Sequence, residues 1–289
     1  MVLILIACGG MTGIALAQLL PPSSSIGSSI NDPCANPSTH PAINDAFRLV
    51  CTREDVPSSR RISQKAIVIG FLGGYVKRDD VKHPEVLFAD YLNNRYGPAL
   101  HAEVFGNHEA KRALDLIIDR VDDNKNRPRI PADKNTMRII LYGHSWGASQ
   151  VLTFARELEM RGIPVALTIQ VDSVRKMRQN DRTVPPNVAK AINFYQRKGF
   201  TPGRPLIVPA DAQRTTIIGN FHMIYNDPNI RCDNYRWFSR VLNKPHHLIE
   251  NDPHVWDQIV LLIDSELALH PNIGEAQFQI EPKPTGLPD

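Results

Sequence analysis

The sequence predicts an α/β protein with a doubly wound, mostly parallel sheet, and three observations carry that prediction. From Ala66 onward, short apolar runs alternate with helical patterns, the order that buries a parallel sheet between layers of helices. One of these runs, Ile139-Ile140-Leu141-Tyr142, ends in Gly143-His144-Ser145-Trp146-Gly147 and passes straight into a helical pattern. The segments with chemistry to offer, Gly70 to Gly74, Ser145 and Asp172, all follow strand ends, the edge at which such sheets bind ligands.

Taken in order, the chain opens with Val2-Leu3-Ile4-Leu5-Ile6-Ala7 and continues to Leu20 without a charge. Ala15-Leu16-Ala17 has the small-x-small form of a signal-peptidase site, so residues 1–17 are expected to be an export signal. Leu5-Ile6-Ala7-Cys8 also resembles a lipoprotein cleavage box, and a spanning helix of about 20 residues would need nearly the whole segment. Secretion or periplasmic export ranks ahead of lipid anchoring, and both ahead of a retained span. Residues 18–60 read as a linker and N-terminal segment, Pro-Ser-Gly-rich over 21–29 and with a short helix over Ile43–Cys51. Cys34 and Cys51 are the expected disulfide, worth roughly 3 kcal/mol by loop closure. Cys232 is left over, although its pairing with either of the others stays open.

The body spans 61–270. Ala66–Ile69 is a strand running into the glycine-rich loop Gly70-Phe71-Leu72-Gly73-Gly74, which has neither P-loop nor dinucleotide spacing. Pro84–Tyr96 reads as a helix, Leu100–Phe105 as a strand and Glu109–Val121 as a helix with Ala113, Leu114, Leu116, Ile117 and Val121 on its buried face. Met137–Tyr142 is a strand, Gly147–Arg161 a helix, and Val165–Val171 a continuous apolar strand ending at Asp172. A strand is expected near Ile192–Tyr195, with two short ones at Leu206–Val208 and Thr215–Ile218. Gly199, Pro202, Gly203, Pro205 and Pro209 break the interval between them, so 175–242 is expected to form a lid, hairpin or excursion over the sheet. A short helix over Trp237–Leu242 precedes Lys244-Pro245-His246-His247. The last helix is capped by Asp252, opens at Pro253 and packs through Val255, Ile259, Val260, Leu262 and Ile263. The tail, 271–289, is polar and proline-rich.

At 289 residues and 42% hydrophobic content the chain can bury a sizeable core. A net charge of +3, evenly spread, gives no footprint for nucleic acid, and Arg175, Lys176, Arg178 and Arg182 read as a solvated loop. Neither C-x-x-C nor metal-ligand spacing occurs, and neither a metal nor an organic cofactor is expected.

Ser145 is the candidate nucleophile. A G-x-S-x-G occurs by chance in roughly one chain in ten of this length, but here it has a strand before it and a helix after it, the context that gives the motif meaning. The turn strains the serine, and Gly143 and Gly147 leave room for the chain to close around it. The helix N-terminus beneath aims the Trp146 N–H at any negative charge formed there, and Phe71 or Leu72 is the candidate for a second donor. A serine needs a base, and the base an orienting carboxylate. His246 is the leading base, with His247 and His222 open; His144 is expected to line or support the pocket and His254 to lie on the surface. Asp172 is the leading acid, with Asp211 and Asp227 open.

From Ala66 to Ile263 the chain resembles the α/β-hydrolase superfamily, on the elbow Gly143-His144-Ser145-Trp146-Gly147, the loop Gly70–Gly74, and the late histidine followed by Asp252-Pro253-His254-Val255-Trp256. The resemblance implies a compact α/β-hydrolase fold with Ser145 as nucleophile, Asp172 as acid, His246 as base, and N–H groups of Trp146 and Phe71 or Leu72 as the oxyanion hole. It implies a serine hydrolase acting on a small-molecule or lipid-like carboxylic ester. A thioesterase, a peptidase and a catalytically silent binding module are the alternatives on the same fold.

Overall fold

The computed structural model describes residues 65–121, 137–226 and 229–267. The export signal, the linker, the 43–51 helix, the Cys34–Cys51 pairing, Asp227 and the tail lie outside the described residues.

Among the described residues six strands form one sheet, parallel throughout. They are β1 (Lys65–Leu72), β2 (Leu100–Gly106), β3 (Met137–His144), β4 (Val165–Val171), β6 (Val188–Tyr195) and β8 (Thr216–His222), in spatial order β2-β1-β3-β4-β6-β8. Two-residue strands β5 (Thr183–Val184) and β7 (Val208–Pro209) pair separately, also in parallel. The five described α-helices are α1 (Pro84–Tyr96), α2 (Ala110–Val121), α3 (Trp146–Glu159), α4 (Trp237–Glu250) and α5 (Pro253–Leu267). Among the described residues no helix is long and apolar enough to cross a membrane.

The continuous apolar runs of β1, β3 and β4 follow from burial on both faces. Alternate residues of β1 serve the two layers. Ala66, Val68 and Leu72 join α1 and α5 in a core around Phe88 and Trp256, whereas Ile67, Ile69 and Phe71 join α2 and α3. Parallel neighbours require crossovers, and here helices supply them. The chain runs from β1 outward to β2, then returns past β1 to β3 and onward, so the order reverses between β1 and β3. At such a reversal the helices leave on opposite faces and open a crevice beyond the strand ends. Ser145 stands at that crevice.

The second half departs from the expectation in three ways. The strand near Ile192 is the full eight residues of β6, because its first half pairs with β4 and β8 even where polar residues interrupt the apolar pattern. The proline-rich interval forms no hairpin. Val208–Pro209 pairs in parallel with Thr183–Val184, and Gly203 and Arg204 donate backbone hydrogen bonds to Gln196 and Ser173. The helix predicted to stop at Leu242 continues to Glu250 through a kink at Asn243 (φ −126°, ψ 29°). Pro245 is tolerated because it falls in the first turn after the kink, where its missing N–H has no helical partner to lose. His246 therefore sits on a helix rather than on a loop.

Candidate active site

β3 ends at His144, and Ser145 turns the chain into α3 with φ 57° and ψ −122°, a conformation that only tertiary contacts sustain outside glycine. Ser145 N–H donates to Val171 O at 3.0 Å, and Val174 N–H to Ser145 O at 3.2 Å, so β4 braces the turn. The two glycines are required by close packing. A Cβ on Gly143 would lie 2.6 Å from the Gly147 carbonyl carbon, and one on Gly147 would collide with the Phe71 carbonyl of β1.

Three predicted side chains meet here. His246 Nε2 lies 2.9 Å from Ser145 Oγ, and His246 Nδ1 lies 2.6 Å from Asp172 Oδ2. Asp172 is fully buried, has φ 47°, and receives Gln196 N–H at 3.0 Å on Oδ1 and Gln196 Nε2 at 2.8 Å on Oδ2. A carboxylate that accepts from every partner fixes the imidazole with its proton on Nδ1, leaving the Nε2 lone pair toward the serine hydroxyl. Ser145 is 9% exposed.

The other candidates stand apart. His247 turns its Nε2 to Ser239 Oγ at 2.7 Å and stacks on Tyr235. His222, at the end of β8, is exposed and stacked on Tyr195; Asp211 accepts the Gln213 N–H in an exposed turn; His254 is exposed on α5. His144 is buried under the site, its Nε2 3.2 Å from the His246 carbonyl and its ring 4.7 Å from the His246 ring.

Trp146 is the first residue of α3, where N–H groups have no intrahelical acceptor. Phe71 and Leu72 lie in β1 rather than in a loop. Phe71 is paired with both neighbouring strands and Leu72 is the last residue of the strand. Gly73 comes nearest the serine, a Cβ there being 3.2 Å from Ser145 Cβ, and its own N–H donates to Glu85 Oε1 at 2.9 Å. Exposed apolar side chains surround this end of the sheet: Tyr75, packed edge-on against Trp146, with Met177 and Phe200, whose N–H donates to Leu242 O.

Beneath the histidines lie residues that the sequence did not single out. Glu85 and Glu250 are both fully buried, and His83 Nδ1 donates to Glu250 Oε1 at 2.8 Å while Tyr235 O–H donates to Glu250 Oε2. Burial pulls the His83 pKa down, but the Glu250 carboxylate, its hydrogen bond, Glu85 and Asp80 together push it up to about 9. Burial and the Glu250 charge raise the Glu85 carboxyl well above its usual range, against the opposing pull of His83 and the Gly73 N–H. Burial, with His246 beside it, lowers His144 well below the usual imidazole range. Gln196 was equally missed, although it follows the end of β6 by one residue, at the same sheet edge as Ser145 and Asp172.

No family model matches the chain, and no curated protein matches it. Solved structures do. A cutinase-like protein from Cryptococcus sp. is 12% identical over 72% of this chain and 98% of that one, with a TM-score of 0.36. An acetyl xylan esterase is 11% identical over 71% and 99%, with a TM-score of 0.35. An uncharacterized protein from Pseudomonas aeruginosa is 13% identical over 57% of this chain and 39% of that chain, with a TM-score of 0.35. Likenesses this remote say nothing of what this chain acts on. The strand–serine–helix elbow at the reversal of a parallel sheet is similar to that of the α/β hydrolases.

Proposed function

We propose that the protein is an exported serine hydrolase that cleaves carboxylic esters through an acyl-enzyme. The observation that carries the reading is the continuous relay Asp172 Oδ2, His246, Ser145 Oγ, with contacts of 2.6 and 2.9 Å at the crevice beyond β3. In this reading Ser145 attacks the ester carbonyl as its proton passes to His246 Nε2. The tetrahedral oxyanion is stabilised by the N–H of Trp146 at the α3 N-terminus and by that of Leu72, favoured over Phe71 because it ends its strand. His246 then gives the proton to the leaving alkoxide, and water, activated by the same histidine, clears the acyl-serine. The exposed apolar residues Tyr75, Met177 and Phe200 support a small-molecule or lipid-like ester. Export rests on the uncharged stretch to Leu20 and the small-x-small site Ala15-Leu16-Ala17 within it.

The test is hydrolysis of a short-chain nitrophenyl ester by the wild type and Ser145→Ala, with fluorophosphonate labelling of both. Turnover should fall by roughly three to six orders of magnitude and labelling should vanish. Activity surviving in Ser145→Ala would reject the assignment, and faster cleavage of a matched thioester or amide would move the substrate class.

A further inference from the structure

Under the imidazole of His246, His83, Glu85, His144 and Glu250 lie buried together. The His246 carbonyl can only accept, so His144 must carry its proton on Nε2, and His144 Nδ1 presents a lone pair. That lone pair points between two carboxylate oxygens, Glu85 Oε2 and Glu250 Oε2, each 3.6 Å away. Glu85 is fully buried, and among the described residues its Oε2 has no hydrogen-bond partner. His83, Glu85 and Glu250 each bring a ligand atom within 4.8 Å of the others. Zinc bonds of about 2.0–2.2 Å in a tetrahedron put the donor atoms about 3.4 Å apart, close to the two 3.6 Å contacts of His144 Nδ1. The surroundings are those of a metal site as well. The imidazole N–H remote from the cluster donates to a backbone carbonyl, and Glu85 Oε1, the oxygen turned away, is held by the Gly73 N–H.

We propose that His83, Glu85, His144 and Glu250 bind a divalent transition metal of the zinc type beneath the Ser145–His246 pair. On binding the ion His83 and Glu85 release their protons to solvent, and the two carboxylates then cancel its charge, which a buried cation requires. The ion joins the start of α1, the end of β3 and the second half of α4. Through Gly73 and the His246 carbonyl it also fixes the loop and the helix that flank the serine. Its role is structural, since none of its ligands touches Ser145 Oγ. The four residues are scattered from 83 to 250, so no spacing motif announces them.

The site stands independently of the proposed hydrolysis, and Ser145→Ala separates the two. Full-length protein purified without chelator is assayed for metal per chain. It is then stripped and titrated with Zn2+ against a chromophoric competitor, and its melting temperature is followed with Zn2+ and with chelator. Wild type and Ser145→Ala should both carry about one zinc per chain and melt higher with Zn2+ than with chelator. Glu85→Gln keeps an acceptor for the Gly73 N–H but removes the facing oxygen's charge. It should bind at least about 100-fold more weakly, beyond the 10- to 100-fold typical of losing an outer partner. Wild type with under a tenth of a metal per chain and no rise in melting temperature in excess Zn2+ or Mn2+ would overturn the proposal without recourse to any variant. Undiminished zinc affinity in Glu85→Gln would overturn it too.

Discussion

A serine with positive φ and an aspartate with positive φ face each other across one histidine, and both strained residues are held by backbone hydrogen bonds to the next strand over: Ser145 to Val171, Asp172 to Phe194. Each strand end thus orients the candidate side chain of its neighbour. Gln196 extends the series by one strand. It is a positioning residue, grasping both carboxylate oxygens of Asp172 while accepting from the Lys198 N–H. In Gln196→Ala the backbone contact to Oδ1 survives and the one to Oδ2 is lost, so the carboxylate can rotate away from His246. Steady-state kinetics should show kcat reduced roughly 10- to 100-fold with KM little changed. A fall in kcat/KM carried by KM alone would mean that Gln196 contacts substrate instead. Ser145 and Asp172 were legible as candidates because each follows a predicted strand end, whereas His246 was only the leading choice over His247 and His222. Glu85, Glu250 and Gln196 were not legible, because buried charge leaves no local mark: Glu85 occupies the second position of an ordinary helix.

At the level of elements, the elbow works because α3 is pressed onto β1. Gly147 backs directly onto the Phe71 carbonyl, and Phe71 meets Phe154 edge-on with centroids 5.1 Å apart. A methyl at Gly147 must push the first turn of α3 off the strand, carrying the Trp146 N–H with it. Gly147→Ala is expected to lower stability by about 1–3 kcal/mol in urea denaturation and to cut ester turnover further than that loss explains. An unchanged unfolding midpoint would show slack between α3 and β1. The elements of the first half were legible to within a few residues, since apolar runs buried on both faces need no context. The kinked helix α4 was not. Pro245 reads locally as a helix breaker, and only packing of His246, His247, Leu248 and Ile249 under the sheet end restarts the helix.

On the scale of the whole molecule, two buried histidines of opposite character set how the fold responds to pH. His247 is held down to about 3, first by burial and then by its neighbours His246 and His83. Unfolding frees it to take up a proton, so its contribution is intact above about pH 6.5 and lost as pH falls toward 3. His83, raised to about 9 by Glu250, Glu85 and Asp80 despite burial, contributes fully below pH 6.5 and loses its part as pH rises through 9. In chelator-treated protein His247 should therefore supply an acid limb below about pH 6.5 and His83 an alkaline limb above it, each with a slope of up to about 1.4 kcal/mol per pH unit. His247→Gln should flatten the acid limb and leave the alkaline one. Equal acid limbs in urea titrations of the two proteins would exclude His247 as the source. The sequence by itself determined the doubly wound layering, the strand-end edge and the serine elbow, because hydrophobic period and glycine spacing are local properties. Only the tertiary structure decided which histidine faces the serine, where the kinked helix resumes, and that two carboxyls lie buried against His83 and His144. Those outcomes depend on distances between segments as far apart as residues 83 and 250, and no local pattern encodes such distances.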